Sequence, residues 1–164
     1  SVVVGYSQIW MAARAPIFAN LNSLQKWEEL NQLFHKSLKF GLATYTIGSI
    51  LTMLLVFWVN YFYPSLANRF VDPLSLLFLL AAQGINFLTF SFTYFVRSFK
   101  EEPFVAMAWI HASLSIVLIP ICISFFGIRG AALAGLLSNA VVFPIGLKIY
   151  RVYTMRIMKL SANN

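Results

Sequence analysis

Cysteine, acid and histidine are all scarce in this chain, and each shortage removes a class of function. The single cysteine, Cys122, cannot form an internal disulfide, and its place inside an apolar run makes it a packing residue. The two histidines, His35 and His111, lie far apart and no cysteine pair accompanies them, so no metal-ligand spacing is present. Only five Asp and Glu residues occur, all outside the long apolar runs, which leaves no paired carboxylates for acid–base work. There is no G-x-x-x-x-G-K-[ST] loop to cradle ATP and no Ser-His-acid set within an apolar segment. No enzyme activity, cofactor or metal is therefore expected. A basic n-region and an initiator Met are also missing from the opening SVVVGYSQIW, so it does not read as a signal peptide. It reads as the last part of a spanning helix, and the chain is expected to be a fragment.

Charge is scarce too. Charged residues make up 10% and hydrophobic residues 60% of the chain, against about 25% charged in an ordinary soluble domain. The net charge of +7 does not signal a nucleic-acid partner, because the basic residues form no single patch. They stand at the ends of apolar runs, as membrane anchors do. The expected fold class is therefore all-α, a polytopic transmembrane helix bundle.

What is abundant is long apolar sequence. Phe104–Phe126 contains no Asp, Glu, Lys or Arg, and about 20 such residues cross a hydrocarbon core. Comparable spans are expected over 38–62, 74–96 and 131–150. Residues 1–18 are expected to be the end of a truncated span closed by Arg14 and Pro16. Residues 22–37 alternate apolar and polar at helical spacing and predict an interfacial amphipathic helix, capped by Asn22 or Ser23, or else a helix packed on protein. The loops are Ser65–Pro73, Arg97–Pro103 and a tight turn at Gly127–Gly130, and 151–164 is a basic tail. Ten of the twelve Lys and Arg fall on one side by this count, with only Arg69 and Arg129 on the other. That bias makes the first side cytoplasmic, the C-terminus included.

Within the spans, small and polar residues recur on single faces. Gly41, Thr44, Gly48 and Thr52 form a face that a neighbouring helix can approach closely. Ala82, Asn86, Thr89 and Thr93 form a stripe with Gln83 beside it, expected to face protein or water because amides are costly in hydrocarbon. Ala131, Gly135, Asn139, Val142 and Gly146 share a third face, where Asn139 is expected to hold two helices together. Pro120 and Pro144 interrupt the last two spans.

The candidate functional residues are few. His111, the one ionisable side chain well inside a span, reads as a proton or cation site, or as a neutral group bonded to a neighbouring helix. Gln83, Asn86 and Asn139 read as hydrogen-bonding groups for sugar hydroxyls, or as adhesion between helices, the latter being the first reading for Asn139. Arg14 reads first as a topology anchor.

The order of parts resembles the C-terminal portion of polysaccharide flippases of the multidrug/oligosaccharidyl-lipid/polysaccharide (MOP) export superfamily. Two segments carry the resemblance: QKWEELNQLFHKSLKF, in which Glu28, Glu29, Leu30, Phe34 and Lys36 match, and FFGIRGAALAG, in which Phe126, Gly127, Ile128, Gly130, Ala131 and Ala132 match. The resemblance implies the end of the eighth helix and the ninth to twelfth helices of a twelve-helix transporter. It implies a bacterial inner-membrane location, a missing N-terminal lobe as partner, and alternating access that carries undecaprenyl-diphosphate-linked oligosaccharide for O-antigen or capsule. It would also give Arg14 a lipid diphosphate to neutralise. Two other readings stand beside it: a cation-coupled drug exporter of the same superfamily, and a membrane scaffold that transports nothing.

Overall fold

The computed structural model describes residues 2–63 and 72–162. All of the regular structure among them is helical: α1 (Val2–Ala12), α2 (Ala15–Ser23), α3 (Trp27–Phe62), α4 (Pro73–Arg97), α5 (Phe104–Phe126) and α6 (Ile128–Ala162). Four of these, α3 to α6, are long and apolar enough to cross a membrane. The chain is an all-α polytopic bundle. Most of the expected loop at Ser65–Pro73, with Arg69, lies outside the described residues.

Several boundaries differ from those read in the sequence. The expected first span over 1–18 is two helices, broken at Ala13 and Arg14, and α2 continues through the expected polar break to Ser23. Of the residues 22–37 expected to form a separate surface helix, 27–37 are the first turns of α3, which at 36 residues is about 54 Å long. No Gly or Pro separates that segment from the span, so nothing stops the helix. Its apolar side is covered by protein: Leu30 and Phe34 are fully buried. Neither Asn22 nor Ser23 caps α3. Asn22 Nδ2 donates to the Ser98 carbonyl at 2.7 Å, and Ser23 Oγ donates to the Asn20 carbonyl. α2 ends in a Schellman-type turn, with Lys26 N–H donating to the Leu21 carbonyl and Gln25 at φ 57°. The expected four-residue turn before the last span is a single residue, Gly127, at φ 60° and ψ −143°, a region open essentially to glycine alone. α6 then runs without a break through most of the expected tail.

α1 and then α2 run antiparallel to α3, and α3 to α6 alternate in direction, which gathers α2, the start of α3, the Arg97–Pro103 segment and the end of α6 at one end. This basic end holds the core. Phe34 meets Phe95 at 4.7 Å between ring centroids and Tyr150 at 5.5 Å, Phe92 stacks on Tyr150 at 4.5 Å, and Trp27 stacks on Phe99 at 6.2 Å. Glu101 accepts a hydrogen bond from the Tyr153 hydroxyl and pairs with Arg156 at 3.0 Å. At the opposite end, Asp72 caps α4 through Ser75 and pairs with Arg129 of α6 at 3.3 Å. Between the ends the outer faces of α3 and α5 are apolar and exposed, with Leu51, Trp109, Ile116 and Phe125 among them. Such faces suit lipid or further helices.

The glycine face of α3 receives α1. A Cβ at Gly48 would stand 2.8 Å from Val3 Cγ1, and Trp10 Nε1 donates to Thr44 Oγ1 at 3.1 Å. α5 packs along α6 and hardly touches α4, its predecessor in the chain. Close approach of α5 to α6 depends on Gly130, where a Cβ would run into the Cys122 carbonyl group. It also depends on Gly146, where a Cβ would stand 3.2 Å from Met107 Sδ.

Candidate functional site: a polar cleft between α4 and α5

The missing contact between α4 and α5 leaves a cleft of about 270 Å³. α4 supplies Asn86, Thr89, Phe90, Thr93 and Arg97 to one wall, spaced three, one, three and four residues apart as one helical face requires. α5 supplies Val105, Ala108 and His111 to the other wall, and α6 lays Asn139 and Val142 across the floor. At the basic end Arg97 and Glu102 face each other at 3.4 Å, both side chains more than half exposed. From Arg97 to Asn86 is eleven residues of helix, or about 16 Å. The cleft thus runs from the basic end to about half the depth of a hydrocarbon core.

Its walls are apolar with a few polar groups, the usual composition of a small-ligand site. One of the groups is unsatisfied: His111 Nε2 is buried and has no hydrogen-bond partner among the described residues. Asn86 brings its amide to the wall of the cleft. Thr93 is spent locally, donating to the Thr89 carbonyl at 3.0 Å. Asn139 Nδ2 donates to the Gly135 carbonyl of its own helix at 2.8 Å, not across to a neighbour. Among the described residues Asn139 makes no hydrogen bond to a neighbouring helix, and it lines the cleft.

The four candidate residues do not converge. Asn86 and His111 share the cleft, whereas Gln83 and Arg14 do not line it. Arg14 sits between α1 and α2, donating from Nη1 to the fully buried Ser37 Oγ at 2.7 Å with its guanidinium 5.9 Å from the Trp10 ring centroid. Those contacts tie the helix break to α3 and give the side chain a packing role. The polar stripe of α4 was legible from its spacing. Asn139 is a candidate by residue type, but its place in the cleft and the Arg97–Glu102 pair were not legible, because they depend on which helices pack together. Among the described residues no group of three or more His, Cys, Asp or Glu could hold a metal.

Comparison with protein-family models, with curated protein sequences and with solved structures gives no match. The site's own geometry therefore has to carry the reading of function.

Proposed function

We propose that this chain is part of a multi-pass transporter that flips lipid-linked oligosaccharide across a bacterial inner membrane by alternating access. The C-terminus and the basic end would lie in the cytoplasm. The observation that carries the reading is the cleft: a membrane-length bundle that keeps Asn86, Thr89, Thr93, His111 and Asn139 around one space. Polar side chains in hydrocarbon are expensive and usually serve a pathway. A static scaffold would do better with α4 and α5 packed together.

The resemblance of QKWEELNQLFHKSLKF and FFGIRGAALAG to MOP flippases supports the substrate class, an undecaprenyl-diphosphate-linked repeat unit. The cleft's neutral hydrogen-bonding groups suit sugar hydroxyls, and the cations of the basic end suit phosphate and anionic lipid headgroups. An N-terminal lobe would complete the pathway against the exposed apolar faces. Movement follows from the packing. α5 packs chiefly on α6, so α5 can shift against α4 without breaking the aromatic core that joins α4 to α6.

The test is deletion of the parent gene, followed by analysis of lipid-linked glycans in the inner membrane. Repeat units that accumulate on the cytoplasmic face, and that complementation clears, support the flippase. Normal glycans with raised sensitivity to cationic drugs would replace it with the exporter. No change in either would leave the scaffold.

A further inference from the structure

His111 stands at an unusual place. It lines a space that starts at the basic end between Arg97 and Glu102 and ends among Asn86, Asn139 and His111 near mid-membrane. A neutral imidazole has one donor and one acceptor nitrogen, whereas an imidazolium has two donors. With Nε2 buried and unpartnered, either neutral tautomer leaves one nitrogen unmatched. A buried polar group without a partner marks a strained or switching position. The remaining capacity around the cleft consists largely of acceptors: the Asn86 and Asn139 amide oxygens and the Thr89 and Thr93 hydroxyls. These can receive the second N–H of a charged ring once it turns into the cleft. The titratable and charged groups facing this space are Arg97 of α4 and Glu102 of the connecting segment, paired with each other at the mouth. Among the described residues α6 contributes only Asn139 and Val142 there. No fixed cation near the inner end opposes a second positive charge.

We propose that the cleft is a proton-access path from the basic end and that His111 is its terminus. The ligand of the site is a proton taken up from the aqueous phase on that side. Uptake adds H⁺ to a ring nitrogen and release returns it to water, so the step balances without a further reactant. This rests on the transporter reading for its use, since it names the ion that would couple to movement of α5 against α4. It does not rest on that reading for its test.

The experiment is ¹⁵N NMR of the intact protein, labelled at its histidine rings and reconstituted in phosphatidylethanolamine/phosphatidylglycerol bilayers. Signals lost in His111→Gln identify the ring. The expected result is a change from neutral imidazole to imidazolium when the aqueous phase on the basic side is acidified. Ala108→Trp, which fills the cleft beside His111, should slow hydrogen–deuterium exchange at the ring at least tenfold. A ring that keeps one neutral tautomer on that acidification overturns the proposal. So does a ring whose exchange is unchanged by Ala108→Trp. Should His111→Gln fail to assemble, His35→Gln leaves His111 as the chain's only histidine and the titration is read there. Normal glycan flipping with a silent His111 would remove the proton and keep the flippase. A titrating His111 in a protein that flips nothing would do the reverse.

Discussion

Gly41 of α3 sits where three helices meet, and adding one methyl group there should cost more than at any open glycine. A Cβ at this position would stand 2.6 Å from Phe87 Cζ, 3.0 Å from Phe87 Cε2 and 3.0 Å from the Ser7 carbonyl oxygen. Ordinary contact begins at 3.4 Å, so the ring must retreat by 0.8 Å and the α1 backbone by 0.4 Å. Phe87 has little room to do so. It is fully buried and stacked on Tyr45 at 6.1 Å, and the Tyr45 hydroxyl in turn donates to the Leu80 carbonyl. Overpacking of this kind costs about 1–3 kcal/mol. Gly5 is the internal control, because nothing lies within 4 Å of its Cβ position and Ala there should gain about 0.5–1 kcal/mol of helix propensity. The two substitutions share the propensity gain, so their difference isolates the contact. At roughly 2–4 °C per kcal/mol for a chain of this length, Gly41→Ala should melt about 2–12 °C below Gly5→Ala in the same detergent. Adding Phe87→Leu should recover part of the loss, and the double-mutant cycle should show coupling. Equal melting of the two alanine variants would refute the three-helix junction.

Three further outcomes follow from the basic end. Phe34→Ala empties the space between Phe18, Phe95 and Tyr150 and should cost about 3–5 kcal/mol in reversible unfolding. Gln25 holds a left-handed conformation at φ 57°, so Gln25→Gly should raise the melting temperature, with a gain of about 1 kcal/mol. The Tyr153 hydrogen bond, then Arg156, hold the Glu101 carboxyl below its ordinary range. A depressed carboxylate stabilises the fold above its unfolded pKa, and that contribution disappears as pH falls through the folded value. Glu101→Gln should therefore lower stability at neutral pH and flatten the acid side of the stability–pH profile.

How much of this was legible in the sequence depended on whether the cause was local. The four spans, the Gly41–Gly48 face and the Asn86–Thr89–Thr93 stripe follow from composition and helical spacing, and the bundle uses them as spaced. The join of α2 to α3 did not follow, because a glutamine at Gln25 gives no glycine-like sign of a left-handed turn. The amphipathic segment reads equally as interfacial or as packed on protein, and the structure covers Leu30 and Phe34 with protein. Their partners, Phe95 and Tyr150, lie more than sixty residues away. The sequence likewise gives no sign that the basic tail begins as helix packed on protein, where Tyr153 continues the face of Tyr150 and packs on Phe99 at 5.5 Å. Of the candidate site, Asn86 and His111 were identified from type and depth. Their meeting depends on the gap between α4 and α5, and no local signal encodes a gap.

The most direct test of the cleft uses a cysteine at Asn86 in a Cys122→Ser background, challenged with a charged, membrane-impermeant thiol reagent in intact membranes. A cysteine at Leu51, on the exposed apolar face of α3, serves as the lipid-facing reference. Rapid labelling at position 86 from the basic side and none at 51 is the expected result. Equal silence at both positions would mean that the cleft is dry, and the transport reading would lose the observation that carries it.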